Sequence, residues 1–260
     1  MTSPLVDWPR PHYVKGGKNP FVFYVVYGWV DIDRPFSRSA YRSRGLPDGI
    51  DLTGYGPTVQ PMVVSQFRTG YGWGRLVAQD PDLAAVVAAQ DFCLVIRGDV
   101  ADPPSLSYFR DLIGLLTFCL DAGGVAIYDP QILKWWSPAD WRTHAFGVGH
   151  CTPRHHVVTF VSPEKDGTAW FHTRGMRKFG RPDVSIHNVR PEHRPAIIDL
   201  VNRFIDLLAF GGRVPDGQPI RMSTLPQGMT CWQRGSEDDP DFNNEHIEIL
   251  WPDAGEARGS

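Results

Sequence analysis

Two stretches of this chain follow one order: a strand-like apolar run, a run with helical periodicity that stops at Gly-Gly, and a return to strand character. In residues 92–128 the apolar run 92–97 leads to Asp102-Pro103, a helix start with proline just inside it. Phe109, Leu112, Ile113, Leu116 and Cys119 then recur at three- and four-residue spacing up to Gly123-Gly124, and 125–128 returns as a strand. In 184–222 alternating polarity at 184–189 precedes Ile197, Val201, Phe204, Ile205 and Leu208, which end at Gly211-Gly212 before strand-like residues near Ile220. A helix of about five turns with one apolar stripe has to lay that stripe on another layer. The expected fold class is therefore α+β: two fused lobes, each a mainly antiparallel sheet covered by a long helix. Residue identity between the stretches is poor, so a duplicated strand-helix-strand unit and a coincidence of plan both stay open.

A chain of 260 residues has room for two lobes of about 100–150 residues each. We divide it into 1–150, an N-terminal α+β lobe with long loops, and 151–260, a C-terminal α+β lobe with a basic hairpin loop. In the first part, 21–30 is aromatic and β-branched and reads as a long buried strand, and 59–67 as a second. Between them, 31–58 carries Arg34-Pro35, Leu46-Pro47-Asp48-Gly49 and Gly54-Tyr55-Gly56-Pro57, a long irregular excursion of the kind that forms lids or contact surfaces. Asp80-Pro81 opens a short helix, and Ser137-Pro138-Ala139-Asp140 opens another in a segment with Trp135, Trp136 and Trp141. In the second part, 157–162 and 168–173 form a hairpin across Glu164-Lys165-Asp166-Gly167.

The net charge of −3 and the pI near 6.3 leave no broad basic surface for nucleic acid or an anionic membrane, whose binding rests on clustered Lys and Arg. The apolar runs are too short to span a bilayer, and 1–12 has no signal-peptide pattern. Cys93, Cys119, Cys151 and Cys231 lie far apart, with no C-x-x-C pair. Reduced thiols and a cytoplasmic location are expected.

The least ordinary stretch is 171–186, in which Arg174, Arg177, Lys178 and Arg181 stand among Gly175, Gly180 and Asp183. Glycines that permit positive φ let backbone N–H groups converge with forked guanidinium groups on one anion. Arg174, Gly175, Lys178 and Arg181 are thus candidate anion-binding residues, set against a solvated hairpin end or a turn fixed by Asp183. Six of the nine histidines lie between His144 and His187. If 168–173 pairs with 184–189, His172 and His187 face one another, and with Asp183 and one of His155 or His156 they are candidates for a base or a metal site. Their spacing matches no established ligand motif, so no metal and no other cofactor is expected.

Sharper signatures are missing. Gly70-Tyr71-Gly72-Trp73-Gly74 has Arg75 where a dinucleotide fingerprint needs its third glycine, and no P-loop, H-E-x-x-H or G-x-S-x-G string occurs. Asp239, Asp241 and Asn243 open like a calcium loop, but Asn244 and Leu250 stand where glycine and glutamate belong. Tyr71, Trp73, Trp135, Trp136 and Trp141 are candidates for a partner surface, since Trp and Tyr anchor many interfaces.

The string from Thr173 to Asp183 resembles a Thr-x-Gly-[Leu/Met]-x-x-Phe-Gly-x-Pro-[Glu/Asp] signature of bacterial families catalogued as domains of unknown function. Residues 123–130, followed by Trp135 and Trp141, are similar to a segment in the middle of such proteins. The resemblance implies no established activity, and some members resemble accessory or immunity-type proteins that act by binding.

These readings converge on a non-catalytic cytosolic module that recognises a protein partner through its N-terminal loops and Trp-rich segment, toxin neutralisation being one concrete form. The alternative is an enzyme or ligand-binding protein for a phosphorylated or carboxylated small molecule. In it Arg174, Lys178 and Arg181 hold the anion, His172 or His187 is the base, and Asp183 orients it.

Overall fold

The computed structural model describes residues 5–252. The chain divides into two compact units, one built from 19–155 with 5–10, the other from 156–252 with Pro11–Lys18. The architecture is α+β with two mainly antiparallel sheets, one per unit.

In the first unit β1 (Phe21–Tyr27) is the central strand. It is followed by β2 (Ile50–Tyr55), α1 (Pro61–Gln66), α2 (Gly70–Gln79), α3 (Pro81–Ala88), β3 (Cys93–Asp99), α4 (Ser107–Asp121), β4 (Ala126–Asp129), β5 (Lys134–Trp136) and α5 (Pro138–Trp141). The strand order is β2-β3-β1-β4-β5, every neighbour antiparallel. Alternation along β1 explains why it is buried on both faces. Val25 and Tyr27 join Val64, Leu76 and Val87 of the three short helices in one core. Tyr24 points to the opposite face, where its ring meets Trp141 edge-on at 6.1 Å, and α4 packs against β1.

Local sequence explains the helix starts. Asp80 accepts a hydrogen bond from Leu83 N at 3.0 Å, and Ser137 accepts one from Asp140 N at 3.1 Å, each followed by proline at the first helical position. Four features differ from the sequence expectation. Within 59–67, Pro61–Gln66 form α1 instead of a strand, because Pro61 sits at its first position and has no N–H for a ladder. The excursion 31–58 contains β2, an edge strand bonded on one side, in which Ile50 alone is buried and the residues carry no apolar alternation. The Gly70–Gly74 run lies inside α2, where Gly72 admits the Tyr128 hydroxyl that a Cβ would meet at 2.8 Å. Asp102 does not start α4 but binds Arg10 Nη1 at 2.8 Å.

The remaining part of the excursion is tied to α4. Gly114 leaves room for the Tyr41 carbonyl, 2.1 Å from where a Cβ would stand. Ser43 Oγ donates to Asp111 O at 2.7 Å, and Arg44 Nε donates to Asp111 Oδ2 at 2.8 Å.

The second unit contains β6 (Val158–Pro163), β7 (Ala169–Arg174), β8 (Asp183–Val189), α6 (Arg194–Ala209), β9 (Gln218–Pro219), β10 (Thr230–Arg234) and β11 (His246–Leu250), in the order β6-β7-β8-β11-β10-β9. Only β8 and β11 run parallel, with His246 opposite Asp183. The stripe Ile197, Val201, Phe204, Ile205 and Leu208 is buried, as are Val184, Ile186, Ile247 and Ile249, and α6 packs on β8. The period of two sends Ser185, His187, His246 and Glu248 to the other face. The two units do not share a topology: β3 and β4, which flank α4, are separated by β1, whereas β8 and β9, which flank α6, are separated by β11 and β10. The plan common to both stretches is thus a local order of elements, not a common sheet.

Pro11–Lys18 crosses the ends of α6 and the basic turn, with His12 N on Phe210 O at 3.1 Å, Val14 N on Gly211 O at 3.0 Å and Lys18 N on Gly180 O at 3.2 Å. A Cβ on Gly17 would stand 1.6 Å from Arg181 Nη1, and that buried guanidinium is bonded to the Val14 and Gly211 carbonyls. Gly17→Ala is therefore expected to cost about 1–3 kcal/mol. Urea unfolding measures the loss, and faster amide exchange at 11–18 locates it.

Candidate functional site

The basic stretch of the second unit is a short 3-10 turn, Met176–Phe179, bounded by Gly175 at φ 116° and Gly180 at φ 63°, both in the region that a Cβ disfavours. Asp183 pins the turn. Its Oδ1 accepts from Thr173 Oγ1 at 2.7 Å and from Met176 N at 3.3 Å, and its Oδ2 accepts from Asn244 Nδ2 at 2.9 Å. Thr173 Oγ1 in turn accepts from Val184 N at 2.9 Å, joining β7 to β8. Burial pushes the Asp183 carboxyl up to about 6, against the opposing pull of Asn244, Thr173, the Met176 N–H and the Lys178 charge.

The four cations are not gathered around one opening. Lys178 is fully buried and donates through Nζ to His156 O at 3.0 Å. Arg181 is buried too, donating to Gly180 O at 2.8 Å, Gly211 O at 3.2 Å and Val14 O at 3.3 Å. Arg177 donates to Glu237 Oε2 and Asn243 O, each at 3.1 Å, and Lys18 lies 2.9 Å from both Glu237 and Glu245. Arg174 differs. Its Nε is buried without a hydrogen-bond partner, and among the described residues its guanidinium meets no acceptor and no carboxylate.

The histidines sit on the sheet face opposite α6. Trp170 stacks on His172 at 3.9 Å and on His187 at 4.8 Å, so the expected neighbourhood of these imidazoles is filled by an indole. Phe160 stacks on His172 at 5.4 Å, and Phe242 stacks on His246 at 4.2 Å. His187 Nδ1 pairs with Glu164 Oε1 at 2.6 Å, while Asp183 is bonded to Thr173, Met176 and Asn244 and orients no imidazole. Burial pushes the His172 imidazole down to about 4; the Arg174 and His187 charges add to this and Asp241 opposes it. His172 is thus a neutral ring at pH 7. Among the described residues no three His, Cys, Asp or Glu side chains gather as metal ligands do.

In the first unit the aromatic residues divide by burial. Trp136 and Trp141 are fully buried, Trp141 donating through Nε1 to Thr117 Oγ1 at 2.9 Å. Trp135 stacks on Tyr128 at 4.4 Å within the core, and Trp73 packs against it edge-on at 5.7 Å. Of the five candidates for a partner surface, Tyr71 alone is largely exposed, at 60 %. Trp29, absent from that set, is 66 % exposed, and Met62 78 %.

Trp29 belongs to an apolar patch that the backbone assembles. Its ring meets Phe92 edge-on at 4.7 Å, and the Phe92 ring lies against Gly56, where a Cβ would fall 2.4 Å from it. Gly56 and Val59 exchange two backbone hydrogen bonds of 3.0 Å, and Val59 leads through Gln60 into Pro61 and Met62. Exposed Trp29 and Val59 are thus linked through Phe92 and Gly56 where β1 leaves the sheet and β3 enters it, and exposed Met62 follows three residues after Val59 at the start of α1. The signal for Trp29 was Gly28: its φ of 111° ends β1 at Tyr27 and turns the next side chain out of the run read as buried strand.

A groove of about 600 Å³ beside the start of α6 is lined by Glu192, Asp199, Arg203 and Arg221 among others. Its Arg203 and Asp199 are paired to each other at 2.9 Å, four residues apart on the helix.

No protein-family model, curated protein or solved structure matches this chain.

Proposed function

We propose that the protein is a non-catalytic binding module that recognises a protein partner through the Trp29, Val59 and Met62 patch of its first unit. The observation that carries this reading is Trp29 itself: a tryptophan met edge-on by Phe92 with its indole largely exposed, on a unit that also exposes Val59 and Met62. A preformed aromatic anchor of this kind loses little side-chain entropy on binding, and such anchors supply most of the energy of many interfaces. Neutralising a toxin by covering it is one concrete form, in keeping with the resemblance of the string 173–183 to a signature of families of unknown function, some of whose members resemble accessory or immunity-type proteins. Cytosolic residence belongs to the same reading. Four buried free cysteines suit a reducing compartment, and among the described residues no helix is long and apolar enough to cross a membrane.

Affinity capture from a lysate of the source cells tests both parts. The tagged full chain is compared with a Trp29→Glu, Met62→Glu double variant, whose exposed positions leave the fold intact. One protein retained in stoichiometric amount by the parent, and reduced at least about tenfold on the variant, is the expected result. Equal retention on both moves the contact elsewhere on the surface. Nothing retained above an unrelated tagged control overturns the binding reading.

A further inference from the structure

We infer that Arg174 and His172, on the face of the second unit's sheet opposite α6, form a binding site for a carboxylate. Trp170, His172 and Arg174 stand two residues apart along β7 and share one face. Arg174 is partly buried, and its Nε is shut off from water with no acceptor. Removing a guanidinium from water without a counter-charge is costly, and every other cation of the turn has its acceptor. Its neighbour on the strand face also has an unsatisfied nitrogen. His172 is only 8 % exposed and its Nδ1 has no partner. One forked cation and one imidazole N–H are the complement of a carboxylate's two oxygens.

Charge selects a monoanion over a phosphate. Asp241 lies close enough to act on His172, and Glu248 stands 3.5 Å from His246 on the same face. A dianion placed there would meet one uncompensated guanidinium and two carboxylates, and phosphate sites ordinarily gather several cations or N–H groups. The site is separate from the patch on the first unit, and it holds whether or not that patch binds a protein.

Nuclear magnetic resonance of the full chain, following the Arg174 Nε–H and His172 ring signals, tests it with three probes: acetate, blocked glutamate (N-acetyl, C-amide) and inorganic phosphate. The expected result is a saturable shift of both signals by acetate or blocked glutamate at millimolar concentrations, at least about tenfold weaker in Arg174→Gln and partly restored in Arg174→Lys. Stronger response to blocked glutamate than to acetate assigns an acidic side chain as the source; equal response assigns the free carboxylate. Arg174 has no internal bond to lose, so the variants keep the parent's amide spectrum. Tighter binding of phosphate, no saturation in the tens of millimolar, or unchanged shifts in Arg174→Gln overturns the inference.

Discussion

Replacing Asp183 by alanine is expected to destabilise the second unit by about 3–5 kcal/mol, because it strands buried donors and leaves Lys178 buried without its neighbouring charge. The carboxylate holds Thr173 Oγ1, Met176 N and Asn244 Nδ2 at once, so its loss opens the junction of β7, the basic turn and β8. Urea unfolding of Asp183→Ala beside Asp183→Asn separates shape from charge: asparagine keeps one acceptor oxygen and should retain part of the loss. A cost below about 1 kcal/mol for alanine would mean that the turn is held without the carboxylate.

The same residue sets a pH dependence with an unusual sign. Its folded carboxyl sits at about 6 against an ordinary 3.8, so through that window the folded chain keeps a proton that the unfolded chain has released, and stability falls as pH rises. His172 acts in the opposite direction. Its folded imidazole sits at about 4 against an ordinary 6.5, so the unfolded chain binds a proton that the folded chain refuses, and stability rises with pH. The two slopes oppose each other between about 4 and 6. Asp183→Asn should therefore expose a melting temperature that climbs from pH 4 to pH 6.5, and His172→Gln one that declines from pH 4 to pH 6. Identical melting profiles for parent and both variants would refute the assignment of either group.

The second large effect belongs to Trp141. Truncation to alanine removes a fully buried indole packed edge-on against Trp136 at 5.5 Å and Tyr24 at 6.1 Å, and releases Thr117 Oγ1 from its donor. A loss of about 3–5 kcal/mol is expected from the cavity and the broken bond. Trp141→Phe should recover most of the packing and leave a deficit of about 1–2 kcal/mol for the unmade hydrogen bond. Tyr71→Ala, at an exposed position, should stay within about 0.5 kcal/mol of the parent. Midpoints of chemical unfolding for the three variants check the order; a destabilised Tyr71→Ala with an unaffected Trp141→Ala would reverse the division between core and surface drawn here.

Much of the fold was legible because its signals are local. Asp80-Pro81 and Ser137-Pro138 open helices where their own side chains cap them, and Gly211 at φ 98° follows α6 as its Gly-Gly stop implied. The hairpin of β6 and β7 follows from two β-rich runs around a short turn. What failed at sequence level was equally physical. An edge strand such as β2 needs no apolar alternation, and Val63 and Val64 read as strand residues until Pro61 is seen to open a helix. Among the candidate site residues, burial could not be inferred from type: Trp136, Trp141 and Trp29 are the same residue, and only the turn at Gly28 puts the last in solvent.

Short-range chemistry in the chain was enough to specify the α+β class, the two sheets, and the left-handed glycines that bracket a basic turn, since each depends on φ preferences and spacing within a few residues. Packing alone decided where the charges of that turn go. Lys178 ends on His156 O, Arg181 on Val14 O and Gly211 O, and Arg174 on nothing among the described residues. Those outcomes depend on acceptors from 22 to 167 positions away, just before β6, on the 11–18 segment and past the end of α6, and no local pattern encodes which long side chain will reach them. A flexible cation takes whichever carbonyl the fold leaves unsatisfied within its reach.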